Sequence, residues 1–115
     1  MKPRYLFGLP FVTGKINTRE IELLIDTGFN GSVLLPIETI HDMNLSPVAV
    51  GEYALADGTI TETNIFEGTI DWFGKKKRIS IISSPSDFCL LGMELLYELR
   101  TVIEPAKGIL HVKLP

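Results

Sequence analysis

The chain has a single cysteine, Cys89, among its 115 residues, so no disulfide can form within it. A lone thiol suits a reducing compartment, and we therefore expect a cytoplasmic location. Because Cys89 lies in the apolar run 88–91, a buried and inert thiol is expected there rather than a nucleophile. The two histidines, His41 and His111, together with one cysteine fall short of any zinc-ligand spacing pattern.

Long apolar runs and strong charge are also missing. No segment is apolar for long enough to span a bilayer. The N-terminal apolar segment is short and interrupted by Gly8 and Pro10, so a strand is predicted there rather than a signal peptide. A formal net charge of −3 argues against nucleic acid as a partner. The one basic run, residues 75–78, is expected at the solvated tip of a hairpin.

The hydrophobic pattern predicts one mainly β domain over residues 1–115, with no linker and no low-complexity segment. Alternating or continuous apolar runs predict strands at 5–12, 14–25, 32–35, 64–72, 77–83, 88–91 and 109–114. Helical spacing predicts short helices at 36–44 and 93–99. This set of elements is compact enough for a closed, barrel-like sheet.

A hairpin is predicted over residues 48–63, with its turn at Asp57 and Gly58. Asp-Gly is the strongest short hairpin signal in the sequence. The two arms carry few large apolar residues compared with the neighbouring strands. A hairpin with little surface to bury is held weakly, so we expect it to move.

The stretch 22–36 places an ionisable residue between two apolar runs. Asp26 ends a run of Leu and Ile, where a carboxylate is costly unless it is paired or hydrogen-bonded. Gly28 permits a tight turn, and Thr27 supplies a hydroxyl at the same place. Asp and Gly are also common in ordinary turns. The tripeptide alone therefore leaves two interpretations equally open, a plain turn and a catalytic loop. A second apolar strand, ending at Gly92, also precedes a helix, which indicates a pseudo-repeat without the acid.

Three motifs in order then give the chain a family resemblance. Residues 24–28 (Leu-Ile-Asp-Thr-Gly), the Asp-Gly hairpin and residues 90–96 (Leu-Leu-Gly-Met-Glu-Leu-Leu) resemble a retropepsin-like aspartic protease of the small bacterial or cellular type. The likeness covers residues 5–114. It implies a closed acid-protease barrel that is active as a two-fold homodimer, because each chain supplies one catalytic acid. Strands from both termini, including 109–114, would form the dimer sheet.

The resemblance also implies the chemistry. Asp26 from each subunit would share one proton, so that one carboxyl acts as general base on water and the other as general acid on the peptide carbonyl. This reaction needs no metal and no cofactor, and the substrate is an extended peptide or protein segment. Thr27 would join the two loops across the two-fold axis, and Gly28 would contact the substrate backbone.

The resemblance assigns substrate contacts to three segments. They are the catalytic loop (Phe29 and Asn30), the hairpin tip acting as a flap (Ala56, Asp57 and Gly58), and pocket walls (Ser84, Pro85 and Leu91). Viral members carry an acidic residue at the position of Asn30 and a smaller residue at that of Phe29. The large ring is expected to narrow the cleft or to fill a pocket itself. These departures keep a second reading open, a dimeric peptide-binding module without catalysis, and a third in which Asp26 only caps a turn of a structural dimer.

Overall fold

The chain is built mainly from β-strands in the computed structural model, which describes residues 1–54 and 56–115. The strands are β1 (Lys2–Leu6), β2 (Leu9–Ile16), β3 (Arg19–Ile25), β4 (Val33–Pro36), β5 (Pro47–Ala54), β6 (Ile60–Trp72), β7 (Lys75–Ser84), β8 (Leu90–Leu91), β9 (Arg100–Glu104) and β10 (Ile109–Lys113). Two short helices, α1 (Ile37–Asp42) and α2 (Met93–Leu96), follow β4 and β8. The prediction of a mainly β chain with two short helices is confirmed.

Eight of these strands form one sheet in the order β1-β2-β3-β8-β4-β7-β6-β5. The sheet curls so that β2 also meets β6, where Ile16 pairs with Ile70. Both of these side chains are fully buried and belong to the main hydrophobic core. Because the return contact is one residue pair, the closed barrel stays a prediction.

The N-terminal strands differ from the predicted ones, since three strands rather than two occupy this region. Tight turns at Phe7-Gly8 and Asn17-Thr18 separate them, and all four residues have positive φ angles. Two-residue hairpin turns of the I′ type need this backbone at both positions. Phe7 and Thr18 are unusual there, which is why the sequence pattern did not predict these turns.

The predicted hairpin is present and forms part of a longer ladder. β5 pairs antiparallel with β6 from Pro47 to Ala54, where Ala54 lies opposite Ile60. β6 then continues without a break and pairs with β7, so the second arm of the predicted hairpin 48–63 and the predicted strand 64–72 form one strand of 13 residues. Leu55, which the sequence pattern places in this hairpin, lies outside the described residues.

The two termini lie together at one side of the molecule. β10 pairs antiparallel with β9 in a separate two-stranded sheet, and Leu110 and Val112 of β10 are buried in the main core. The hydroxyl of Tyr5 on β1 donates a hydrogen bond of 2.8 Å to the carbonyl oxygen of Ile109. This bond links the first strand to the last.

Tyr5→Phe is expected to lower the free energy of unfolding by about 1 kcal/mol, because it removes one partly buried hydrogen bond and keeps the ring. Urea unfolding of the variant should show a lower midpoint with an unchanged slope. Tyr97→Phe is the matched control, since Tyr97 is 82% exposed and should lose nothing measurable. Equal midpoints for the two variants would show that the bond does not stabilise the fold.

Candidate active site

The candidate site is the loop that joins β3 to β4, residues 26–32. β8 lies between these two strands and pairs with both, so that Leu91 lies opposite Ile25 on one side and Val33 on the other. The backbone N–H of Asp26 donates to the carbonyl oxygen of Leu91 at 3.0 Å, and that of Gly92 donates to Ser32 at 2.9 Å. Both ends of the loop are therefore fixed to one short strand.

The first turn of α2 holds the middle of the same loop. The N–H of Met93 donates to the carbonyl oxygen of Phe29 at 2.8 Å, and that of Glu94 donates to Gly31 at 3.2 Å. Gly92 lies so close to the loop that a Cβ there would overlap the carbonyl oxygen of Gly31 and stand 2.8 Å from that of Phe29. A residue without a side chain is needed for this approach. Hydrogen bonds from Gly92 and from the first turn of α2 thus hold the loop backbone at several points.

Asp26 projects from this braced loop with its side chain half-buried. Its Oδ1 accepts a hydrogen bond of 2.8 Å from the backbone N–H of Gly28, which fixes the orientation of the carboxyl group. None of the ion pairs found among the described residues includes Asp26. Thr27 beside it is exposed. The acid is therefore oriented and reachable, and it has no ion-pair partner in the described part of the chain.

The hairpin between β5 and β6 lies directly over the loop. A Cβ built on Gly28 would overlap the Cβ of Ala56 and stand 2.9 Å from its Cα. The N–H of Ala54 donates a hydrogen bond of 3.0 Å to Oδ1 of Asn30. The structure thus brings together two segments that the sequence predicts as opposite sides of a cleft.

A small second core lies beneath this contact. It consists of buried residues from the loop and from four strands, namely Phe29, Leu34, Tyr53, Ile82 and Leu90. The rings of Phe29 and Tyr53 meet edge to face, with centroids 6.0 Å apart and an interplanar angle of 89°. Phe29 is fully buried and fills a space within its own chain. Tyr53 was not among the predicted site residues; it is a large aromatic residue in an arm of otherwise small or polar neighbours.

The hairpin tip carries Asp57 and Gly58, both exposed. Hydrogen bonds from the Thr59 side chain and from its backbone N–H lower the pKa of Asp57 below its ordinary value. This carboxyl therefore stays ionised in mildly acid solution, and the tip keeps a negative charge there. Gly58 has φ +86°, the left-handed conformation that an Asp-Gly turn requires.

The remaining predicted contacts lie further from the carboxyl or below it. Ser84 pairs with Pro36, at the end of β4 away from the catalytic loop, and its hydroxyl is within 2.8 Å of that of Ser86. Pro85 is exposed in the loop that follows. Leu91 is fully buried under the loop. Substrate contact by these residues and by Phe29 stays a prediction.

The described residues contain no group of three or more His, Cys, Asp and Glu side chains placed to hold a metal ion. No helix in that part of the chain has the length and apolar character needed to cross a membrane. The chemistry that the site offers is that of a carboxyl group, a threonine hydroxyl and backbone groups.

Comparison with known proteins gives a match at the level of structure. No protein-family model matches the sequence, and no curated protein matches it significantly. Among solved structures, the chain is similar to the crystal structure of a retropepsin-like aspartic protease from Rickettsia conorii, with 20% sequence identity and a TM-score of 0.69. The match covers 97% of this chain and 87% of that one. The chain therefore has the retropepsin-like fold, as the sequence motifs predicted.

Proposed function

We propose that the chain is an aspartic endopeptidase that works as a homodimer on extended peptides. The observation that carries this proposal is the half-buried Asp26, held by Gly28 on a braced loop and covered by a hairpin, within a retropepsin-like fold. An acid at the end of a buried strand, oriented by a backbone hydrogen bond and close to a second segment, is placed to transfer protons to a substrate bound between the two segments.

One carboxyl cannot perform this reaction alone. Peptide hydrolysis needs a base that takes a proton from water and an acid that donates one to the carbonyl oxygen and later to the leaving amine. Two carboxyls that share a single proton supply both, since two like charges at such short distance cannot both ionise. Each chain offers one Asp26, so the proposed site forms where two chains meet on a two-fold axis.

Two features of the surface support such a dimer. Thr27 is exposed beside Asp26, where its hydroxyl is available to a twin loop. The first and last strands lie together through the bond between Tyr5 and Ile109, so the segments expected to form the dimer sheet are adjacent in one chain. Both features support a dimer in which the catalytic loops and the terminal strands of the two chains meet.

The substrate is proposed to lie between the catalytic loop and the hairpin. Because Ala56 touches the space above Gly28, the hairpin must rise before a peptide backbone can enter. A segment in extended conformation fits a groove of this kind, since its backbone can hydrogen-bond to Gly28 on one side and to the hairpin on the other. Apolar side chains beside the scissile bond are expected.

Digestion of a diverse peptide library between about pH 3 and 7, the range in which such carboxyl pairs titrate, tests the proposal. Cleavage that a statine-type transition-state mimic blocks, by a species that sediments as a dimer, is the expected result. A dimer that binds peptides and cleaves none would instead support the peptide-binding module. An active monomer would contradict the shared site.

A further inference from the structure

β5, the inner arm of the hairpin, contacts the catalytic loop at two successive residues, and β6 forms the outer arm. Tyr53 packs its ring against Phe29 in the second core, and the N–H of Ala54 donates to Oδ1 of Asn30. Phe29 and Asn30 are also successive, so two neighbours on the loop hold two neighbours on the arm. The aromatic contact is buried, whereas the hydrogen bond is exposed.

Several apolar side chains elsewhere in the described part of the hairpin are exposed. Those at Val48, Val50 and Ile60 are 57%, 64% and 67% exposed. They add little burial that could fix the height of the hairpin above the loop. Tyr53 and Ala54 lie shortly before Ala56, the residue of the hairpin that approaches Gly28 of the loop.

We propose that Asn30 is a positioning residue, whose side-chain oxygen holds the inner arm of the hairpin over the catalytic loop. This inference rests on the proposed function and deepens it. The amide oxygen is an acceptor that an apolar side chain cannot replace, and the contact uses no charge. Sequence reasoning assigned Asn30 to the substrate; the structure has its oxygen bound to the chain's own hairpin.

The chemistry of the contact predicts opposite effects of two substitutions on the hydrogen bond from Ala54. Asp at position 30 keeps an oxygen of the same reach and can accept the bond from Ala54, with the added strength of an ionised acceptor. Leu has a similar size and has no acceptor. The pair Asn30→Asp and Asn30→Leu therefore separates the hydrogen bond from the volume of the side chain.

Amide hydrogen exchange at Ala54, measured by NMR in the absence of any substrate, is the direct test. Asn30→Leu should raise the exchange rate of this amide by about three- to tenfold, the effect of losing one exposed hydrogen bond. Asn30→Asp should leave it equal or lower. Asn64→Leu is the matched control, because Asn64 is exposed on the outer arm of the same hairpin and is remote from the loop in register. An unchanged rate in Asn30→Leu would overturn the proposal.

Peptide cleavage supplies the second readout. Asn30→Leu should lower kcat/KM by about tenfold, because the hairpin is then misplaced over the loop. Asn30→Asp should keep kcat/KM near the wild-type value. A rise in KM with unchanged kcat and unchanged exchange at Ala54 would assign Asn30 to substrate binding instead. If the wild-type protein cleaves no peptide, the proposed endopeptidase function is wrong. The exchange rates at Ala54 still decide whether Asn30 holds the arm.

Discussion

Asp26→Asn is expected to abolish peptide cleavage and to leave the fold intact. The amide oxygen of Asn can still accept the hydrogen bond from the N–H of Gly28, so the loop keeps its shape. The amide can neither take a proton from water nor donate one as a carboxylic acid does. General acid–base catalysis contributes about 10²- to 10⁴-fold, and both carboxyls of a homodimer are lost together, so kcat should fall by at least about 10³-fold.

The matched control is Asp71→Asn. Asp71 is a partly exposed acid on β6 that pairs with Lys76 at 2.6 Å, and it lies next to the turn between β6 and β7. The same change of charge there should leave kcat unchanged. Cleavage by the purified Asp26→Asn protein at the wild-type rate would mean that another group or a contaminant is responsible.

Mixed dimers make the same prediction quantitative. If wild-type and Asp26→Asn chains exchange freely in equal amounts, about a quarter of the dimers keep both carboxyls, as random pairing on a two-fold axis requires. At the same total protein concentration, the activity of the mixture should be about a quarter of that of wild type alone, and not half. A value of half would mean that each chain works alone.

The two halves of the predicted pseudo-repeat form adjacent strands that support the candidate site. Two apolar strands that each end near a glycine were visible as similar stretches, and they prove to be neighbouring parallel strands, with Ile25 beside Leu91. The local pattern was sufficient here because both strands are buried and the acid interrupts only one of them. The pairing of the two stretches, by contrast, depends on the whole sheet.

Contacts between distant residues could not be read from the pattern. The sequence pattern predicts no strand at β9 (Arg100–Glu104), which the structure shows through its pairing with β10. The helix predicted to residue 99 ends at Leu96, where tertiary packing overrides the spacing of apolar residues. The contact of Phe29 with Tyr53 joins two segments whose sequences contain no common signal.

Gly92→Ala is expected to destabilise the chain by about 3 kcal/mol, the upper end of the usual cost of overpacking. Its backbone, with φ −103° and ψ −179°, is extended and open to any residue, so the cost is purely steric. A methyl group would overlap the carbonyl oxygen of Gly31 and meet Cδ2 of Phe29 at 2.5 Å. The carbonyl cannot move away without breaking its bond from the N–H of Glu94.

Gly14→Ala separates this effect from a general cost of adding a methyl group to a buried strand. There the new Cβ would meet only side-chain ends, with Cδ1 of Leu23 at 3.0 Å, and these can shift. Urea unfolding should show a clearly lower midpoint for Gly92→Ala than for Gly14→Ala. Because α2 supports the loop that carries Asp26, the folded fraction of Gly92→Ala should also cleave peptides more slowly than wild type. A Gly92→Ala protein as stable and as active as Gly14→Ala would mean that β8 and α2 do not hold the catalytic loop in place.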